Sequence, residues 1–158
     1  MQRLFLFGPL FCVGVGCFAP DWGTAPGESI HNGALGPFIL ESVAEYGATP
    51  VNTVDLPPLE IGYPQKDGTG KYFYYTQEDE SVEISVPTTS GPGVLEDNQQ
   101  ALAFLKQAFG EPRRSKSGQL TFWNWSLSSD DGGTQVFIKF RADETTPPWL
   151  HISKGEKQ

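Results

Sequence analysis

The amino-acid sequence predicts an α+β domain in which one helix packs on one face of an antiparallel sheet, with elements in the order β-β-α-β-β-β. Three observations carry that expectation. Residues 81–86 alternate between apolar Val82, Ile84 and Val86 and polar Ser81, Glu83 and Ser85. This period of two marks a strand with one wet face, an antiparallel habit. Ala101, Leu102, Leu105, Ala108 and Phe109 recur at helical spacing and form one apolar stripe. After them come three runs rich in β-branched and aromatic residues, separated by turns bearing Gly, Ser or Pro.

Taken in order, residues 54–61 are extended, because each residue before a proline is pushed out of the helical region. Residues 71–76, with Tyr72, Phe73, Tyr74 and Tyr75, form the first strand and pass through an acidic turn at 77–80 into the alternating strand. Residues 88–94 carry the chain to the helix. Asp97 or Asn98 is the expected cap, since a short side-chain oxygen accepts an otherwise unpaired N–H of the first turn. Gly110 ends the helix and Pro112 forbids its resumption. A turn over 113–118 leads into the Trp-bearing strand 120–127, which pairs through the turn at 128–133 with residues 135–141. Residues 149–153 return as the last strand. The helix is expected to bury Leu102, Leu105 and Phe109 against Phe122 or Trp123, and against Val136, Ile138 and Phe140.

Composition bounds the class. With 158 residues, 38% hydrophobic and 19% charged, the chain suits one globular domain, and 18 Gly and 13 Pro imply long connections. A net charge of −8 argues against sequence-independent nucleic-acid binding, which needs cations to neutralise phosphates. Arg113, Arg114 and Lys116 are the one dense basic cluster and read as a solvated loop beside a helix C-terminus. Both cysteines, Cys12 and Cys17, lie near the start, so the rest of the chain relies on packing.

Met1 to Gly16 has a charged start and an apolar run, the pattern of a secretory signal peptide too short to span a membrane. The reading is therefore a signal peptide at 1–16, a tether or poorly ordered segment at 17–50, and an α+β domain at 51–158. Gly14-Val15-Gly16-Cys17 resembles the lipobox of bacterial lipoproteins, although that family usually has a large aliphatic residue where Gly14 stands. The resemblance implies that Cys17 is lipidated and becomes the mature N-terminus, anchoring the chain to a membrane of the cell envelope. Phe109-Gly110-Glu111-Pro112, followed by Trp123 and Trp125 and a three-stranded meander, resembles the small lipoproteins of the bacterial outer-membrane barrel-assembly machinery. Their fold packs helices on a three-stranded sheet; the hairpin at 71–87 stands where that family has another helix.

Catalytic chemistry has little to stand on. His31 reads as a solvated side chain in the tether and His151 as a surface residue opposite Leu150 and Ile152; neither has a nucleophile motif near it. Gly68-Thr69-Gly70-Lys71 lacks the earlier glycine of a phosphate loop, and Asp130-Asp131-Gly132 lacks the ligand spacing of a calcium loop, so both read as turns. No catalytic, cofactor or metal residue is assigned, and no enzyme is expected. Trp123 and Trp125 share a strand face. With Trp149 they are the candidate interaction surface if the helix covers the Phe122 side; the other reading makes the Trp face core. The expected function is an exported, lipid-anchored envelope protein whose domain binds another protein or acts as a scaffold. A carbohydrate-binding module using the Trp face is the alternative.

Overall fold

The computed structural model describes residues 29–88, 92–141, 143 and 145–156. The alternating segment lies near the centre of an eight-stranded antiparallel sheet. The strands are β1 (Ser29–Asn32), β2 (Tyr63–Pro64), β3 (Lys71–Glu78), β4 (Ser81–Ser85), β5 (Arg113–Ser117), β6 (Leu120–Ser128), β7 (Thr134–Arg141) and β8 (Trp149–Glu156). Their order is β1-β3-β4-β8-β7-β6-β5, with β2 pairing beside β3. Two helices, α1 (Leu35–Glu45) and α2 (Pro92–Phe109), complete the α+β architecture.

Register decides which face is covered. Trp125 pairs with Ile138, Ile138 with Ile152 and Ile152 with Val82, and all four are buried. Directly opposite residues share a sheet face, so this row marks the inward side. Leu35, Ile39 and Val43 of α1 join the same hydrophobic cluster, as do Ala101, Phe104, Leu105 and Ala108 of α2. Both helices therefore lie on one side. A Cβ added at Gly36 of α1 would meet the Phe104 ring at 3.0 Å, so the helices touch through a residue without a side chain.

The helix ends follow local chemistry. Pro92 opens α2, where its missing N–H costs nothing. Gly110, at φ +84°, closes it and donates to the Lys106 carbonyl at 2.8 Å. Gly47, at φ +90°, similarly stops α1, its N–H reaching Ala44 O.

Several expectations are corrected. The tether drawn to residue 50 is folded from Ser29 onward, because α1 buries an i, i+4, i+8 stripe against Leu59 and Phe104. Residues 17–28 and the signal segment 1–16 lie outside the described residues. α2 begins six residues before Asn98, which is no cap: it is 3% exposed and ties the helix to the β7–β8 connection. The stretch 113–117 is an edge strand, not a turn, and the sheet exceeds the five strands expected. His31 is not solvated but packs in β1 against Phe38 and Phe73, with ring centroids 4.7 and 4.8 Å away.

Candidate functional site

With both helices on one side, no described element covers the other side of the sheet. Pairing assigns its residues row by row. One row crosses seven strands: Ser115, Phe122, Arg141, Trp149, Ser85, Tyr74 and Ile30. The next contains Arg113, Asn124, Lys139, His151, Glu83 and Thr76. The outward positions of β7 and β8 thus interleave aromatic and charged side chains.

Trp149 is the centre of this face. Its indole N–H donates to the Glu83 carboxylate at 2.8 Å, its ring stacks on His151 at 6.0 Å, and the Arg141 guanidinium lies 5.7 Å from its centroid. One ring is thereby held by an anion on one flank and a cation on the other. Lys139 sits 4.6 Å above Phe122. Phe137, 39% exposed, lies over Gly155, where an added Cβ would come within 2.7 Å of the ring. Glycine at 155 leaves room for that aromatic side chain.

Toward β2, Tyr63, Tyr72 and Tyr74 form a chain of rings with successive centroids 5.6 Å apart. Burial first, and then hydrogen bonding with Tyr74, raise the Tyr72 phenol above its ordinary value. Charge is divided across the face: Arg113, Lys139 and Arg141 stand on β5 and β7, Glu78 and Glu83 on β3 and β4. At the end of the β3–β4 hairpin a hollow of about 570 Å³ opens between Glu78, Glu80, His151 and Lys154.

The three tryptophans assigned as one interaction surface are separated by the sheet. Trp125 is 4% exposed and its indole N–H donates to Gly110 O at 2.8 Å, so it locks β6 to the end of α2. Its register partner Ile138 is core, which forces Trp125 inward. Trp123 is on the same side, half-buried at the rim, with Lys106 and Arg114 at 5.2 and 5.4 Å from its ring. Only Trp149 faces the open side. Cys17, the lipidation candidate, lies outside the described residues.

The open-face residues that pattern reading passed over are Tyr72, Tyr74, Phe137 and Arg141. Their signal was present: once Val82, Ile84 and Val86 point inward, Ser85 and its partner Tyr74 point outward. Among the described residues no group of three His, Cys, Asp or Glu side chains is arranged to hold a metal, and no helix is long and apolar enough to cross a membrane. Comparison with protein-family models, curated proteins and solved structures finds no match to the chain.

Proposed function

We propose that this chain is an exported, lipid-anchored protein of the bacterial cell envelope whose α+β domain binds a protein partner through the open sheet face. The observation that carries the binding role is the uncovered face itself. Tyr63, Tyr72, Tyr74, Phe122, Phe137 and Trp149 stand there beside a basic half and an acidic half. Aromatic residues and arginine are enriched at protein interfaces, and exposed apolar patches rimmed by polar groups mark interaction sites. A divided charge pattern orients a partner and excludes one presenting like charges, which suits a folded protein surface better than a uniform polyanion. The leader and the Gly14-Val15-Gly16-Cys17 motif support export and anchoring. The carbohydrate alternative loses its original basis, since Trp123 and Trp125 do not share an exposed face with Trp149.

The test is site-specific photo-crosslinking in intact cells, with a benzophenone amino acid at Phe137 on the open face or at Ala103 on the exposed side of α2. A discrete crosslinked species from position 137 and none from 103 is expected. Equal yields from both positions, or no species from 137, would remove the open face as the binding surface.

A further inference from the structure

We propose that the partner of the open face is a second copy of this chain, seated face to face about a two-fold axis that runs along β8. The inference rests on the reading of the open face as a binding surface and names its occupant. β8 is the middle strand of the main path, with β4, β3 and β1 on one side and β7, β6 and β5 on the other. A two-fold axis lying in the plane of the face and parallel to β8 therefore exchanges β4 with β7, β3 with β6 and β1 with β5. Such an interface is isologous, and a surface enters it only if it is complementary to itself.

The strand register supplies that complementarity. In one outward row Glu83, His151 and Lys139 follow one another across β4, β8 and β7, and the two charged side chains are exposed. The exchange sets Glu83 opposite the second copy's Lys139 and Lys139 opposite its Glu83. One row thus yields two opposite-charge pairs. In the adjacent row Tyr74, Trp149 and Phe122 stand on β3, β8 and β6. Tyr74 of each copy then falls opposite Phe122 of the other, while Trp149 meets its own counterpart at the axis. In the third row the exposed Phe137 falls opposite Ser81 of β4, a small residue that leaves room for the ring.

Charge selects this axis over the alternative. A two-fold axis running across the strands would lay β7 on β7, setting Lys139 and Arg141 against the same cations of the second copy, and β4 on β4, setting Glu83 against Glu83. Juxtaposed like charges exclude that arrangement. Twisted sheets packed face to face align within about 30°, so the match is closest on the strands beside the axis. The two Glu83 to Lys139 pairs lie on those strands.

Area sets the strength. Seven strands about 4.8 Å apart and three outward rows about 6.8 Å apart cover on the order of 600 Å² per copy. The total of about 1,200 Å² is at the low end for specific interfaces, so the dimer is weak and dissociates on dilution. A net charge of −8 on each copy opposes approach at long range. Physiological salt screens exposed charges beyond about 8 Å, which leaves the pairs across the interface as the electrostatic contribution that decides orientation.

The first test is sedimentation velocity of the purified full chain from about 1 µM to about 500 µM, a range that brackets weak affinities. The parent should pass from monomer to dimer. Glu83→Lys or Lys139→Glu alone turns both ion pairs of the dimer into repulsions and should weaken association by about tenfold or more. The double variant, and an equimolar mixture of the two single variants, should associate like the parent, because each restores opposite charges across the axis. Glu83→Lys also removes the acceptor of the Trp149 indole N–H, so the Lys139→Glu variant and the mixture separate pairing between copies from that local loss. A monomer at every concentration, or single variants that associate like the parent, would overturn the proposal. The second test is the photo-crosslink from position 137 in cells, which should join two copies of this chain and map to β4 of the second. A crosslink to a different protein would overturn the second copy as occupant and leave the open face as a binding surface; no crosslink from 137 would overturn both.

Discussion

Leu105→Ala probes the two-layer arrangement most economically. Leu105 is wholly buried in the middle of α2, within the cluster that joins both helices to the sheet. The substitution removes three carbons. At about 0.8 kcal/mol per buried carbon the transfer loss alone is about 2.4 kcal/mol, the value if the core collapses fully onto the gap. A gap that stays open raises it toward about 5 kcal/mol. α1 and α2 brace one another at Gly36 and Phe104, which restricts collapse and favours the upper half of that range. Domains of this size are stable by only about 5–15 kcal/mol, so a urea melt at pH 7 should show a large fall in midpoint. Gln100→Ala, an exposed position on the same helix, is the control and should stay within about 0.5 kcal/mol. Lys106 is unsuitable as a control, since it bridges Glu111 and lies against Trp123. Coincident melts for the Leu105 and Gln100 variants would refute burial of this helix face.

Three further outcomes are expected. Trp125→Phe keeps most of the buried ring but leaves Gly110 O without its donor, so it should cost about 1–3 kcal/mol by chemical denaturation, and Trp125→Ala more, about 3–5 kcal/mol; a Phe variant as stable as the parent would dismiss the lock between β6 and α2. The carboxyls of Asp131, held low by the Ser129 side chain and the Gly133 N–H, and of Asp143 are depressed in the folded state. Their contribution is present above the unfolded value of about 3.9 and is lost as pH falls through the lower folded values, so Tm should drop below about pH 4 and drop less in Asp131→Asn/Asp143→Asn; identical pH profiles would contradict this. Cys17→Ala should release the protein from membranes, and mass spectrometry of the parent should find a lipid-modified Cys17 at the mature N-terminus; an unmodified N-terminus elsewhere would refute anchoring at that residue.

The legible parts of the fold are those whose cause is local. The end of α2 is written in Gly110 and Pro112, and the inward faces of β4 and β7 in their alternation. Its start is not, because Asn98 resembles a cap in sequence while its partners lie 45 and 48 residues away. Helix α1 hides for a related reason: Gly33, Gly36 and Pro37 look like loop chemistry, and only contact with Leu59 and Phe104 makes Gly36 useful. β5 has no alternation to read, since all five of its residues are exposed on an edge. Its charges at Arg113, Arg114 and Lys116 discourage further strand pairing. The tryptophan face was legible only as a pair of alternatives, and the pairing of Trp125 with Ile138 decides between them. The open face escaped because its aromatic residues come from five strands, and no single stretch of sequence contains them.

Side-chain oxidation footprinting, performed on the purified protein and again in intact cells, bears most directly on the open face as the binding surface. In the purified protein Tyr74, Phe137 and Trp149 should be modified while Phe73 and Phe140, both wholly buried, should not. In cells the same three residues should be protected, with reactivity at exposed Leu95 on α2 unchanged. Open-face residues as reactive in cells as in isolation would contradict the account.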